Sequence, residues 1–128
     1  MVIDTSAIVA ILFAEPERET FNEKIAAATT RLISAPSWLE CNLVIEARKQ
    51  ALGRAEFELF VHEADLTVVE FDRLQADLAA TAWRTYGKGR HPAGLNFGDC
   101  FAYALAKSRN EPLLFKGNDF SQTDIAQA

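Results

Sequence analysis

Met1-Val2-Ile3-Asp4-Thr5-Ser6-Ala7-Ile8-Val9-Ala10-Ile11-Leu12 opens the chain, and its reading decides the fold. Met1 to Ile3 is a short apolar run with β-branched residues, and apolar side chains dominate again from Ala7 until Glu15-Pro16. The pattern predicts a buried strand running into a helix of about two turns that ends near Ala14. Asp4 stands where the strand stops, and it is the one residue of the twelve unsuited to a protein interior. In parallel α/β sheets ligands are held at the carboxyl ends of the strands, because helix N-termini converge there. Which residues meet Asp4 at that rim decides what the protein can do.

Strand-like and helical patterns alternate from there to the end, with no internal repeat, low-complexity tract or linker. The expectation is one α/β domain over residues 1–128, with a central, mainly parallel sheet flanked by α-helices. Pro16 lies near the start of a second helix carrying Phe21, Ile25 and Ala28 at helical spacing. Arg31 to Ser34 reads as a second strand, and Pro36 opens a third helix that Gly53 closes. Arg54 to Ala64 reads as a fourth helix with Phe57, Phe60 and Val61 on one face, and Leu66 to Phe71 as a third strand. Asp72 caps a fifth helix reaching Tyr86, Gly87 to Gly94 is a loop, and Asn96 caps a sixth helix through Arg109. Pro112 to Phe115 supplies a fourth strand. A further short strand is expected beyond Ala128.

Composition narrows the function. The 128 residues are 49% hydrophobic with a formal net charge of −5, which suits a globular domain burying roughly two-thirds of its unfolded surface and argues against binding nucleic acid by blanket positive charge. No uncharged apolar run approaches the ~20 residues of a membrane span, and the N-terminus lacks the pattern of a signal peptide, so a cytoplasmic protein is expected. Cys41 and Cys100 have no CxxC spacing and read as reduced, buried small residues. No GxxxxGK[ST] or GxGxxG pattern supports nucleotide chemistry. His62 and His91 lie far apart in sequence and read as surface or satisfied histidines.

Four acids break the pattern expected of a solvated surface. Glu40 has Leu43, Val44 and Ala47 at i+3, i+4 and i+7, so it shares an apolar stripe. It either meets a cation or strong donors there, or lies at the stripe's edge and reaches outward. Asp99 sits in the first turn of the sixth helix, where an acid also complements the helix dipole. Asp4 and Asp119 follow apolar strands, at places a cap or turn aspartate also occupies. In a parallel sheet all four positions fall at one rim. Four carboxylates there would repel one another by several kcal/mol unless a divalent cation neutralised them, and oxygen ligands suit Mg²⁺ or Mn²⁺. A hard ion so held activates water against a phosphodiester. The stretch Arg84-Thr85-Tyr86-Gly87-Lys88-Gly89-Arg90-His91 is the densest basic segment, and Arg84, Lys88 and Arg90 suit phosphate contacts beside an aromatic stack from Tyr86.

Taken together, Val2-Ile3-Asp4-Thr5-Ser6, Glu40 on its helix, Leu95-Asn96-Phe97-Gly98-Asp99-Cys100 and Leu114-Phe115-Lys116-Gly117-Asn118-Asp119-Phe120 resemble the PIN-domain ribonucleases in order and spacing. Among these the chain looks like the VapC-type toxins of bacterial type II toxin-antitoxin pairs. The resemblance spans essentially the whole sequence and implies a PIN fold with Mg²⁺-dependent endonucleolytic cleavage of RNA. It implies Asp4 and Asp99 as the principal metal ligands, Glu40 and Asp119 completing the acidic pocket directly or through water, and Ser6 or Asn118 orienting it. It also implies a homodimer and a cognate VapB-type antitoxin whose C-terminal segment lies across the toxin and often brings an arginine to the acids. The apolar helical faces with Trp38, Phe57 and Phe60 are candidates for partner contact or for core. Two rival readings are a catalytically silent PIN-like binding module and a phosphoacceptor receiver domain, in which Lys116 would serve at a strand end.

Overall fold

A computed structural model describes all of residues 1–128. Four short strands, β1 (Val2–Ile3), β2 (Leu32–Ser34), β3 (Thr67–Val69) and β4 (Leu113–Leu114), form one sheet in the order β3-β2-β1-β4, every pair parallel. Val2 lies opposite both Leu32 and Leu113, so the first strand is the centre of the molecule. The helices are α1 (Thr5–Leu12), α2 (Arg18–Ala27), α3 (Ala35–Glu63), α4 (Arg73–Tyr86) and α5 (Phe97–Arg109). The chain steps from β1 to β2 to β3 in one direction and returns to place β4 on the other side of β1. That reversal makes the carboxyl end of β1 a topological switch point, where a crevice opens.

Helices cover both faces, and adjacent strand residues feed different cores. Ile3, Ile33 and Leu114 pack with Ile8, Ile45 and Phe57 from α1 and α3. Val2 and Leu113 pack with Leu95, Tyr103 and Leu105 from the α5 side. Strands buried on both faces have no polar positions to alternate with, which is why β1 reads as a plain apolar run. Cys41 and Cys100 are free and buried, as expected. No helix is long and apolar enough to cross a membrane.

Several boundaries differ from the sequence expectation. The expected third and fourth helices are one element, α3, kinked at Gln50 (φ 54°, ψ −140°) and not at Gly53. Gly53 lies after the kink, where a Cβ would stand 2.5 Å from Lys49 Cβ and 2.9 Å from Ile45 O, so it is there for close packing and does not cap a helix. The residues that α3 buries before the kink are Ser37, Cys41 and Ile45. Leu43 is 64% exposed and Ala47 is exposed, so the stripe containing Glu40 is not the one facing the sheet. Leu and Ala look the same to a periodicity argument whether they face a core or solvent. β3 is shorter than expected, and its Val68 is exposed at the sheet edge. Near the end of the described residues Gln127 bridges to Leu113, and Ala128 N–H donates to Leu113 O at 2.9 Å. Phe57 is core at 1% exposure, Phe60 packs against it, and Trp38 is exposed.

Candidate metal centre

Asp4 is the N-cap of α1, and its Oδ2 accepts from Ser6 N–H at 3.0 Å and from Ser6 Oγ at 2.6 Å. Ser6 Oγ in turn accepts from Lys116 N–H at 3.0 Å, and Asp4 N–H donates to Leu114 O at 2.9 Å. The end of β1, the start of α1 and the exit of β4 are thereby locked around one carboxylate. Asp4 is both a cap and a buried acid: desolvation raises its carboxyl above the usual range, the Ser6 bonds pull against that, and the charge of Glu40 adds to the rise.

Asp99 arrives from α5. Asn96 caps that helix through its side chain, accepting from Asp99 N–H at 2.9 Å, while Asp99 Oδ2 accepts from Asn96 N–H at 3.0 Å. This reciprocal box spends one oxygen of Asp99 and fixes the side chain, leaving Oδ1 without a hydrogen bond. Loss of solvent, then the charges of Asp4, Asp119 and Glu40, push its carboxyl up to about 6 against the Asn96 bond. Glu40, half-buried, is brought in by α3 and lies against Gly98: a Cβ there would stand 2.6 Å from Glu40 Oε2. Gly98 therefore makes room for the second helix's acid beside the first's. The residue carried no weight in the sequence reading, although a glycine inside the first turn of a helix, where alanine is about 1 kcal/mol better, was its available signal. Asp119 stands exposed on the turn after β4, its side chain making no cap bond.

Four carboxylates from distant parts of the chain thus act on one another, and no cation of the protein compensates them. Lys116 is taken: its ammonium lies 3.2 Å from Glu15 and 3.1 Å from Glu17, at the far end of α1. The receiver-domain reading, which needs that lysine at the acids, loses its support. Buried Cys41 also feels Asp4 and Glu40, and burial pushes its thiol up to about 12, so it is an inert neighbour. No three of the acids are drawn to coordination distance of a common point. Uncompensated like charges stand apart, and an all-oxygen donor set of this charge fits a hard divalent ion.

The remaining expected residues are placed as follows. Asn118 is exposed, and only its main-chain oxygen is used, by Ser121 Oγ at 2.7 Å. Arg84, Lys88 and Arg90 are exposed and bonded to none of the acids. Arg84 lies in the last turn of α4, and the loop carrying Lys88 and Arg90 closes on Leu95, directly before Asn96, through Lys88 N–H to Leu95 O at 2.9 Å. Tyr86 is not a free stacking platform. Its ring packs on His91 and Tyr103, with centroids 5.1 and 6.0 Å away. The aromatic side chain that does stand out is Phe97, 80% exposed and two residues before Asp99.

The PIN-domain family profile matches residues 1–126. VapC ribonuclease Mb0640 of Mycobacterium bovis is 56% identical over 126 residues, covering 98% of this chain and 96% of the relative. Ribonuclease VapC of Mycolicibacterium smegmatis is 52% identical over 126 residues, covering 98% of each. Among solved structures, VapC20 of Mycobacterium tuberculosis, a sarcin-ricin loop cleaving toxin, superimposes with a TM-score of 0.76 at 18% identity, covering 99% of this chain and 97% of that one. VapBC2 of Rickettsia felis, bound to a DNA fragment from its promoter, gives a TM-score of 0.78 at 12% identity over 99% and 96%. At these identities the two structures speak to the fold alone.

Proposed function

Because this chain belongs to the PIN-domain family and, within it, to the VapC ribonucleases, we propose that it is the toxin of a type II toxin-antitoxin pair. In this reading it hydrolyses RNA phosphodiester bonds internally, using a divalent ion held by Asp4, Asp99, Glu40 and Asp119. Mg²⁺ is the ion of choice and Mn²⁺ its substitute. The observation that supports this best is that Asp4, Asp119 and Glu40 all act on Asp99 at one rim with no protein cation beside them, in a chain that the PIN-domain profile matches over residues 1–126. When bound, the ion supplies an activated water and charge stabilisation on the leaving oxygen.

The chain's own residues set up that chemistry. Ser6 spends its hydroxyl proton on Asp4 Oδ2 and is held by Lys116 N–H, so Asp4 presents its other oxygen in a fixed direction. Asn96 does the same for Asp99. Prepositioned ligands avoid reorganisation when substrate arrives. Arg84, Lys88 and Arg90 hold the RNA backbone beside the acids, offsetting the net charge of −5 that would otherwise repel it. A cognate VapB-type antitoxin inhibits by laying a guanidinium into the same acids, which satisfies them as the ion does. The protein works in the cytoplasm as a homodimer. The test is RNA cleavage by purified protein with Mg²⁺, then with EDTA, beside Asp4→Asn prepared identically. Cleavage that needs the ion and Asp4 is expected; cleavage that survives both treatments would reject the proposal.

A further inference from the structure

Between β4 and the short helical turn that starts at Phe120, the chain crosses the acid rim with little to hold it. Phe115 and Phe120 are buried at either side, and their ring centroids lie 5.2 Å apart. Between them Gly117, Asn118 and Asp119 are exposed. Gly117 is left-handed at φ 103°, with nothing within 4 Å of where its Cβ would stand, and the Asp119 side chain makes no cap bond. Lys116 is half-buried and fastened twice. Its main-chain N–H donates to Ser6 Oγ at 3.0 Å, and its ammonium lies 3.2 Å from Glu15 Oε1 and 3.1 Å from Glu17 Oε2.

The two glutamates are delivered by the turn after α1. Ala14 reverses the chain at φ 53°, Glu15 N–H donates to Ala10 O at 2.9 Å, and Pro16 separates the two acids. Carboxylates so close repel one another, and Lys116 is the cation that meets both. Partly exposed ion pairs contribute little to global stability. This one has another consequence, because it grips the residue whose N–H ends the chain of bonds through Ser6 to Asp4 Oδ2. We propose that Lys116 is a positioning residue of the acid pocket: Glu15 and Glu17 hold its ammonium, which fixes the turn that aims Asp4 through Ser6 and carries Asp119. The role at the site rests on the divalent-ion reading above; the anchoring of the turn does not. Charge alone predicts the opposite effect. Neutralising a cation near an acid pocket strengthens the pocket's hold on a divalent ion, whereas loosening the ligands weakens it.

Calorimetric titration of the metal-free full chain with MnCl₂ is the test, beside amide exchange at position 116 followed by NMR. Lys116→Met keeps the aliphatic stem and the fold, which circular dichroism checks. It binds Mn²⁺ about tenfold more weakly than wild type, and the amide at position 116 loses its protection from exchange. Lys116→Arg keeps a charge that both carboxylates accept and restores both readouts. Glu15→Gln with Glu17→Gln releases the ammonium and gives the same two losses, and adding Lys116→Met to that pair loses little more. Mn²⁺ binding by Lys116→Met as tight as wild type, or tighter, overturns the positioning role. So does weaker binding with the amide still protected, because the ammonium then does not hold the turn. If Lys116→Met fails to fold, the double glutamine variant decides by the same readouts. A wild-type chain that takes up no Mn²⁺ rejects the divalent-ion reading and the role at the site together. One that binds Mn²⁺ and shows both losses, yet cuts no RNA, upholds the positioning and rejects the ribonuclease reading alone.

Discussion

At the scale of single residues, the proposed function has the acid pocket trade stability for readiness to bind a cation. The carboxyl of Asp99 moves from 3.8 in a free side chain to about 6 in the fold. Between those values the folded form binds a proton that the unfolded form has released. Without metal, stability therefore falls as pH rises from about 4 through 6, and the penalty is complete above 6. Asp99→Asn keeps an oxygen for the Asn96 bond and removes the charge, so in EDTA at pH 7.5 it raises the melting temperature by about 2–5 °C. The same variant lowers RNA cleavage by more than about 100-fold, beyond what the loss of an outer-sphere group costs. Mg²⁺ raises the melting temperature of the wild type more at pH 7.5 than at pH 5, and calorimetry across that range checks both statements. Gly98→Ala is the complementary case. Its methyl displaces Glu40 Oε2 and lowers cleavage about 10- to 100-fold, while stability stays within about 1 kcal/mol, since the glutamate's end is flexible and alanine suits a helix.

At the scale of elements, α3 shows how a helix is bent to serve a site. Its first half must bring Glu40 to the rim while its second half lays Phe57 and Phe60 back onto the core. Gln50 absorbs the change of direction in a conformation that costs a non-glycine residue about 1–3 kcal/mol. Gln50→Gly relieves that strain and raises stability by about 1 kcal/mol in urea denaturation. Gly53→Ala drives a methyl into Ile45 and Lys49 and lowers stability by about 1–3 kcal/mol. Lys49, just before the kink, ties the bend down, its ammonium 2.8 Å from Leu12 O and 3.0 Å from Glu56. Sequence periodicity did not place the kink, because no proline marks it and the strained residue is one that ordinarily continues a helix.

At the scale of the molecule, the net charge of −5 and the acid pocket set how RNA is met. Under the proposed function, affinity rests on a few cations beside a divalent ion, not on a broad basic surface. The salt dependence of RNA binding, measured by fluorescence anisotropy in Mg²⁺, is accordingly shallow. Removing Arg84, Lys88 and Arg90 together lowers its slope by about one for each phosphate that no longer meets a cation. A slope unchanged in the triple variant would assign RNA holding to another surface.

The first twelve residues and the order of elements were sufficient for the parallel α/β sheet and for bringing Asp4, Asp99 and Asp119 to one rim. Apolar runs and cap residues are local signals, and strand ends in such a sheet share a side by construction. Whether Glu40 met the other acids or reached outward was decided by Gly98, a neighbour from another helix whose missing side chain leaves the space. Tertiary packing also decided that Lys116 belongs to Glu15 and Glu17, that Tyr86 is packed while Phe97 is bare, and that α3 turns at Gln50. Each of these depends on what lies across space from a residue, and periodicity along the chain carries no record of that.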